Sequence, residues 1–142
     1  MRDVGGSKKG CECNMKTIFT NGCFDVLHRG HFELLKYCYS LGRVVVGINT
    51  DKSIKKLKGQ DRPFFNQSDR AFMLECCKYV DEVLLFDENT PYNLIKQIKP
   101  DIIVKGGDYN PTEVVGVDLA EVVIFNYIDG YSTSNTLAGI KK

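Results

Sequence analysis

Apolar residues fall in short runs along this chain, and the runs alternate between two periodicities. Lys16 to Thr20 (KTIFT) is a β-rich run leading into the polar, glycine-bearing stretch NGCFDVLHRG. From His31 the spacing changes. Leu34, Leu35, Cys38 and Leu41 share one face at intervals of three and four, which predicts a helix that Gly42 stops. RVVVGIN is apolar without alternation, as expected of a strand buried on both sides of a parallel sheet. TDKSIKKLKGQDRPFFN then predicts a short helix and a polar loop. Ser68-Asp69-Arg70 opens a further helix, expected to run through Tyr79 with Asn66 or Ser68 as its cap.

The second half repeats the rhythm. DEVLLF reads as a strand, TPYNLIKQIK as a helix with Pro91 in its first turn, and DIIVKGG as a strand ending in glycines. EVVIFNY is the last strand, and STSNTLAGIKK a closing helix capped by Ser132 or Thr133. Strands alternating with helices imply βαβ crossovers. The expectation is an α/β fold: a single Rossmann-like, doubly wound domain with a five-stranded parallel sheet flanked by helices. Residues 1–15 are expected to be a flexible leader and 16–142 the folded domain. Such sheets bind ligands beyond the carboxyl ends of their strands, at the switch point. The loop 20–31, KGGDY and DGYSTS should therefore meet at one edge.

Composition narrows the function classes. The 142 residues are 43% apolar, enough for one core. A net charge of +1 offers no broad basic field for nucleic acid, so anion binding has to be local. No apolar run approaches the roughly 20 residues of a membrane span. MRDVGGSKKGCECN lacks the hydrophobic core of a signal peptide. The six cysteines show no disulfide-scaffold spacing, and Cys38 and Cys76 fall in apolar helical patterns, where a thiol acts as a small hydrophobe. A reducing, cytoplasmic location is expected. Lys52, Lys55, Lys56 and Lys58 cluster; they are a solvated helix face or, with Gly59 and Arg62-Pro63, a mobile basic arm that folds over a triphosphate. Arg70 is a surface charge or an interface or ion-pair residue.

Both histidines of the chain, His28 and His31, flank Gly30 in TNGCFDVLHRGH. They are compatible with three readings. With Cys11 and Cys13 they form C-x-C … H-x-x-H, with end spacings shorter than zinc sites use. They could also be ordinary helix-start histidines. Or, with Gly30 open and helix amides nearby, they are donors to a phosphate whose charge grows in a transition state. GYSTS (Gly130, Tyr131, Ser132, Thr133, Ser134) is a second anion cradle or simply a capped helix. KGGDY (Lys105, Gly106, Gly107, Asp108, Tyr109) lets backbone approach a planar ring, with Asp108 able to accept from an exocyclic amine, or is a tight turn.

TNGCFDVLHRGH, LKGQDRP, KYVDEV, DENTPYNLI, IKPDIIVKGGDY and GYSTS occur here in one order. Together they resemble the cytidylyltransferase-like family, whose signature is H-x-G-H, over Lys16 to about Ile140. Within it the chain looks most like the branch that adenylylates heptose 1-phosphate. The resemblance implies direct in-line transfer of AMP from ATP to a sugar 1-phosphate, with pyrophosphate released and no covalent intermediate. It places His28 and His31, with Gly30, at the α-phosphate, and Lys56 and Lys58 as further catalytic groups. Thr20, Asn21, Gly22, Cys23 and Phe24 would line the nucleotide site, with Asp25 shaping their loop. Lys105, Gly106, Gly107, Asp108 and Tyr109 would lie near base and ribose. Ser132 and Thr133, within Gly130 to Ser134, would hold the β- and γ-phosphates. Mg²⁺ is expected with the triphosphate rather than in a protein cage.

Glycerol- and choline-phosphate cytidylyltransferases carry R-T-x-G-I-S-T where this chain has Tyr127-Ile128-Asp129-Gly130-Tyr131-Ser132-Thr133. The missing arginine favours the heptose-like branch over the alternative, a CTP-dependent enzyme acting on glycerol 3-phosphate or a similar alditol phosphate. NPTEVVGVDLAEVVIF is shorter than its heptose-branch counterpart, which leaves the sugar open. The resemblance further implies a homodimer, no nucleic-acid or membrane partner, and a separate kinase to supply the sugar phosphate. Class I aminoacyl-tRNA synthetase cores share H-x-G-H, but no K-M-S-K-S motif is present here. The intact motif set also argues against a non-catalytic nucleotide-binding module.

Overall fold

The computed structural model describes residues 15–107 and 110–126. Over these the chain runs β1 (Thr17–Gly22), α1 (Arg29–Leu41), β2 (Arg43–Asn49), α2 (Asp51–Lys58) and α3 (Gln67–Glu75). It continues through β3 (Glu82–Phe86), α4 (Tyr92–Ile98), β4 (Ile102–Gly106), a 3₁₀ turn (Pro111–Glu113) and β5 (Glu121–Phe125). The strands form one sheet in the order β3-β2-β1-β4-β5, every pair parallel. This is the five-stranded, Rossmann-like α/β sheet expected from the alternation of strands and helices.

The two faces follow from the strand period of two. Val44, Val46 and Ile48 of β2 pack with Leu34, Leu35 and Cys38 of α1 and Leu74 of α3. Val45 turns to the other face, with Phe19, Ile103, Val114 and Ile95 of α4. Gly47 shares that second face and has room for no side chain, since a Cβ there would come within 2.8 Å of Phe19 Cζ. Helices on both faces explain why β2 shows no polar alternation.

The strand order reverses between β1 and β4, and there the sheet splits. Their pairing comprises Ile18↔Ile102 and Phe19↔Ile103, although both strands run three residues further. On its other side β1 stays paired with β2 to Gly22↔Ile48. The crevice of a doubly wound sheet therefore opens beside Asn21 and Gly22. These two residues belong to the strand, not to the loop expected from the sequence, because β2 continues to hold them.

The structure corrects the end of α3, the setting of Cys76 and the place of Pro91, and decides between the two expected caps of α3. α3 stops at Glu75 instead of Tyr79, with Cys76 as its C-cap, because the chain turns through Cys77 and Val80 to enter β3. Cys76 is consequently exposed rather than part of a core, whereas Cys38 is buried. Asn66, not Ser68, caps α3, its side chain accepting from Asp69 N–H at 2.8 Å. Pro91 is the N-cap of α4, one residue before the first turn. The expected leader to residue 14 and the closing helix lie outside the described residues.

Candidate active site

Beyond the carboxyl ends of the strands lies a cavity of about 810 Å³. The end of β1 and its loop contribute Asn21, Gly22, Cys23, Phe24 and Asp25; the end of β4 contributes Lys105, Gly106 and Gly107. His31 and Leu34 reach it from α1. The two described motifs thus meet at one edge. Asp108, Tyr109 and Gly130 to Ser134 lie outside the described residues.

The wall beside β1 is built on a turn. Phe24 adopts φ 49°, unusual for a bulky side chain, and is held there by burial, its ring 5.2 Å from that of His31. Such backbone outliers cluster at ligand sites. The chain then enters α1 through His28, an extended N-cap residue. His28 Nδ1 accepts the N–H of Gly30 at 3.0 Å, and the N–H of His28 donates to His31 Nδ1 at 3.2 Å. The two rings stack at 3.9 Å with an interplanar angle of 29°.

This cap fixes the chemistry of both imidazoles. Each Nδ1 accepts from backbone, so the bonding pattern assigns the proton of each neutral ring to Nε2. Burial lowers the pKa of His28 below its usual 6.5. Burial, then the neighbouring His28, pushes His31 down to about 4. Near pH 7 the pair is two neutral N–H donors. Of the amides expected to be free at this helix start, three are engaged: Gly30 N–H donates to His28 Nδ1, and the N–H groups of His31 and Phe32 donate to His28 O. His31 lines the cavity, and His28 stacks on it at the more exposed side.

Asp25 is buried, and its carboxylate is an anchor. It accepts from Arg62 Nε at 3.1 Å, Phe64 N–H at 2.6 Å and Phe65 N–H at 2.8 Å. It thereby ties the segment after α2 to the loop after β1. Lys55 Nζ donates to Arg62 O at 3.1 Å from the other side. Lys56 and Lys58 stand on α2, and the following loop is tied down at Arg62, Phe64 and Phe65. Lys58 and Arg62 line the cavity. Lys56 does not, because two residues along a helix rotate it about 200° away.

Arg70 corrects the surface and interface readings. Its side chain is wholly buried. It donates to Phe65 O at 2.9 Å, Cys23 O at 3.0 Å, Asn49 O at 2.8 Å and Asp51 Oδ1 at 2.8 Å. One guanidinium fork thus joins the β1 loop, the end of β2, the start of α2 and the loop before α3. Only its five-donor geometry can satisfy so many separate acceptors.

Thr20 is not a cavity residue. It shares a face of β1 with Ile18, in the layer covered by α1 and α3, and its buried hydroxyl has no hydrogen-bond partner among the described residues. Conversely, Asn49, Phe86 and Asn89 line the cavity and were missed in the sequence. Asn49 had a signal, being the polar residue that ends an apolar strand run at its carboxyl end. Its amide accepts from Cys23 Sγ at 3.7 Å and donates to Ser53 Oγ at 3.0 Å. Lys105 sits at the split between β1 and β4, and burial lowers its pKa, a cost that a bound anion would offset.

Among the described residues no three His, Cys, Asp or Glu side chains converge as a metal cage. The cavity's carboxylate, Asp25, is already committed to Arg62 and two amides. The described residues therefore do not fit a resident cation, and no step below depends on one.

The cytidylyltransferase-like family matches residues 19–135. The chain belongs to this family of nucleotidyltransferases. The bifunctional protein HldE of Aliarcobacter butzleri is 51% identical over 129 residues, 89% of this chain and 27% of that protein. Its counterpart from Nitratiruptor is 53% identical over 121 residues, 84% of this chain and 26% of that protein. The chain thus spans about a quarter of the length of these relatives. Among solved structures, a lipopolysaccharide core biosynthesis protein from Thermoplasma volcanium is 27% identical with a TM-score of 0.70, covering 82% of this chain and 100% of its own. Pantothenate synthetase from Thermus thermophilus, 20% identical with a TM-score of 0.59 over 91% of this chain and 65% of its own, shares the fold.

Proposed function

We propose that this cytidylyltransferase-like chain moves AMP from ATP to a sugar 1-phosphate, with heptose 1-phosphate as the expected acceptor. The observation that carries the reading is the neutral His31 imidazole on the wall of a cavity opened at the switch point, with the His28 ring stacked on it. An oxygen of the acceptor's phosphate attacks the α-phosphorus. As that bond forms, the in-line bond from the α-phosphorus to the α,β-bridging oxygen breaks, and pyrophosphate leaves with the electron pair. The exchange moves no proton, so the site needs groups that hold charge in place. Two preorganised Nε2–H donors meet that need at the α-phosphate oxygens.

In this reading Lys58 and Arg62 meet the outer phosphates, and Asn21, Gly22, Cys23, Phe24, Gly106 and Gly107 surround the nucleoside. Ser132 and Thr133 hold the β- and γ-phosphates, Asp108 and Tyr109 lie by the base, and Mg²⁺ arrives on the triphosphate. A sugar acceptor agrees with the resemblance to bifunctional HldE proteins and to a lipopolysaccharide core protein. A kinase activity supplies the sugar phosphate, and the enzyme works as a cytoplasmic homodimer, which light scattering would check.

The test is a pyrophosphate-release screen crossing four nucleoside triphosphates with sugar 1-phosphates and alditol phosphates. Release with ATP and a sugar 1-phosphate is expected. Release confined to CTP and glycerol 3-phosphate would overturn the reading in favour of a cytidylyltransferase.

A further inference from the structure

A second, smaller hollow of about 150 Å³ adjoins the main cavity. Its lining residues are Asn21, Pro91, Lys105, Glu113, Val114 and Val115. Asn21 and Lys105 line both spaces, so the two meet where β1 and β4 have parted. Asn21 lies two residues beyond Phe19, and Lys105 two beyond Ile103. Strand alternation therefore puts both on the face that carries Ile95 and Val114. α1, with the histidines, covers the opposite face. The junction is thus approached by His31 from one side of the sheet and by Lys105 from the other.

The smaller hollow has a distinct chemistry. Pro91, Val114 and Val115 give it an apolar wall, while Glu113 on the 3₁₀ turn brings a carboxylate. Its volume equals about five waters at roughly 30 Å³ each, the scale of one sugar ring and too small for a nucleoside triphosphate. An apolar wall with a few placed polar groups is the general make-up of a small-ligand site.

We propose that this hollow is the acceptor subsite: Lys105 holds the sugar's phosphate against the nucleotide's α-phosphate, and Glu113 accepts hydrogen bonds from hydroxyls of the sugar body. The inference rests on the transfer reading above and moves Lys105 from the nucleotide to the acceptor. It also implies a specificity rule. The Glu113 carboxylate repels a second phosphate on the sugar body, so a sugar monophosphate is preferred to a bisphosphate.

Steady-state pyrophosphate release on the intact chain tests this, with ATP and the acceptor varied separately. Glu113→Gln and Val115→Phe alter exposed positions, and thermal melting confirms that each variant folds. Both should raise KM for the sugar 1-phosphate about tenfold while KM for ATP stays within twofold. Glu113→Gln should also narrow the gap between monophosphate and bisphosphate acceptors. Lys105→Met should lower kcat/KM for the acceptor roughly tenfold to a hundredfold with less effect on ATP binding. Turnover with an unchanged acceptor KM in both exposed-site variants, or an equal rise for both substrates, overturns the subsite alone. Wild-type chain that releases no pyrophosphate with any sugar phosphate overturns the transfer reading and the subsite with it.

Discussion

His28 and His31 hold each other in place: the N–H of His28 donates to His31 Nδ1 at 3.2 Å while the two rings stack at 3.9 Å. Three residues of spacing bring them to one side of the helix start. The cap then decides which nitrogen carries each proton. A pair poised in this way gives hydrogen bonds without adding charge, and it ties the site's chemistry to the stability of α1.

That link allows the two roles of His28 to be separated. His28→Asn keeps a good N-cap, so its unfolding free energy should stay within about 1 kcal/mol of wild type. It loses the ring donor, and turnover should fall about 100- to 1,000-fold. Urea unfolding and single-turnover pyrophosphate release measure the two effects side by side. Unchanged turnover would remove His28 from the catalytic assignment.

The same pair predicts an acid-side loss of stability. Both imidazoles titrate lower in the folded chain than the usual 6.5, His31 at about 4. Between those values the unfolded chain binds more protons, so stability present above pH 6.5 is lost as pH falls toward 4. For His31 the loss amounts to roughly 3 kcal/mol. Urea midpoints at pH 7 and pH 4.5 should show it, and His31→Gln should flatten most of the difference.

Arg70 is expected to be the most sensitive position outside the core. Arg70→Met leaves the carbonyls of Cys23 and Asn49 and the Asp51 carboxylate without their donor, which should cost about 3–5 kcal/mol. Arg70→Lys supplies charge without the fork and should recover only part of the loss. Chemical denaturation of both variants checks the order.

Asp25→Ala frees the Phe64 and Phe65 amides and Arg62 together. A loss of about 2–3 kcal/mol is expected, with a higher KM for ATP because Arg62 and the β1 loop lose their shared anchor. A normal KM for ATP in a folded variant would show that this loop does not touch the nucleotide.

Lys58 lines the cavity and Lys56 does not, so alanine variants of the two should part company. Lys58→Ala should raise KM for ATP about tenfold, and Lys56→Ala less than twofold. Equal effects would mean that the cluster acts only through its summed charge.

Much of the architecture was legible in the chain because it depends on periodicity. The uninterrupted RVVVGIN run and the spacing of Leu34, Leu35 and Cys38 report burial directly, and β2 and α1 lie where those patterns put them. H-x-G-H likewise marked the histidines, since local helix geometry alone brings them together. The end of α3 at Glu75 was less legible, because it is set by where the chain turns to join β3 and not by its own residues.

The sequence by itself determined the strand–helix alternation, the parallel sheet, the two local motifs and the family. Only the tertiary structure decided that Arg70 is a buried staple, that Thr20 faces the core, that Lys58 and not Lys56 reaches the cavity, and that Lys105 stands between two hollows. The settings of Arg70 and Lys105 depend on partners far away in sequence, such as Cys23 and Asn49 around Arg70 or Glu113 across from Asn21. Burial and hydrogen bonding are properties of the assembled neighbours, so no window of the chain records them.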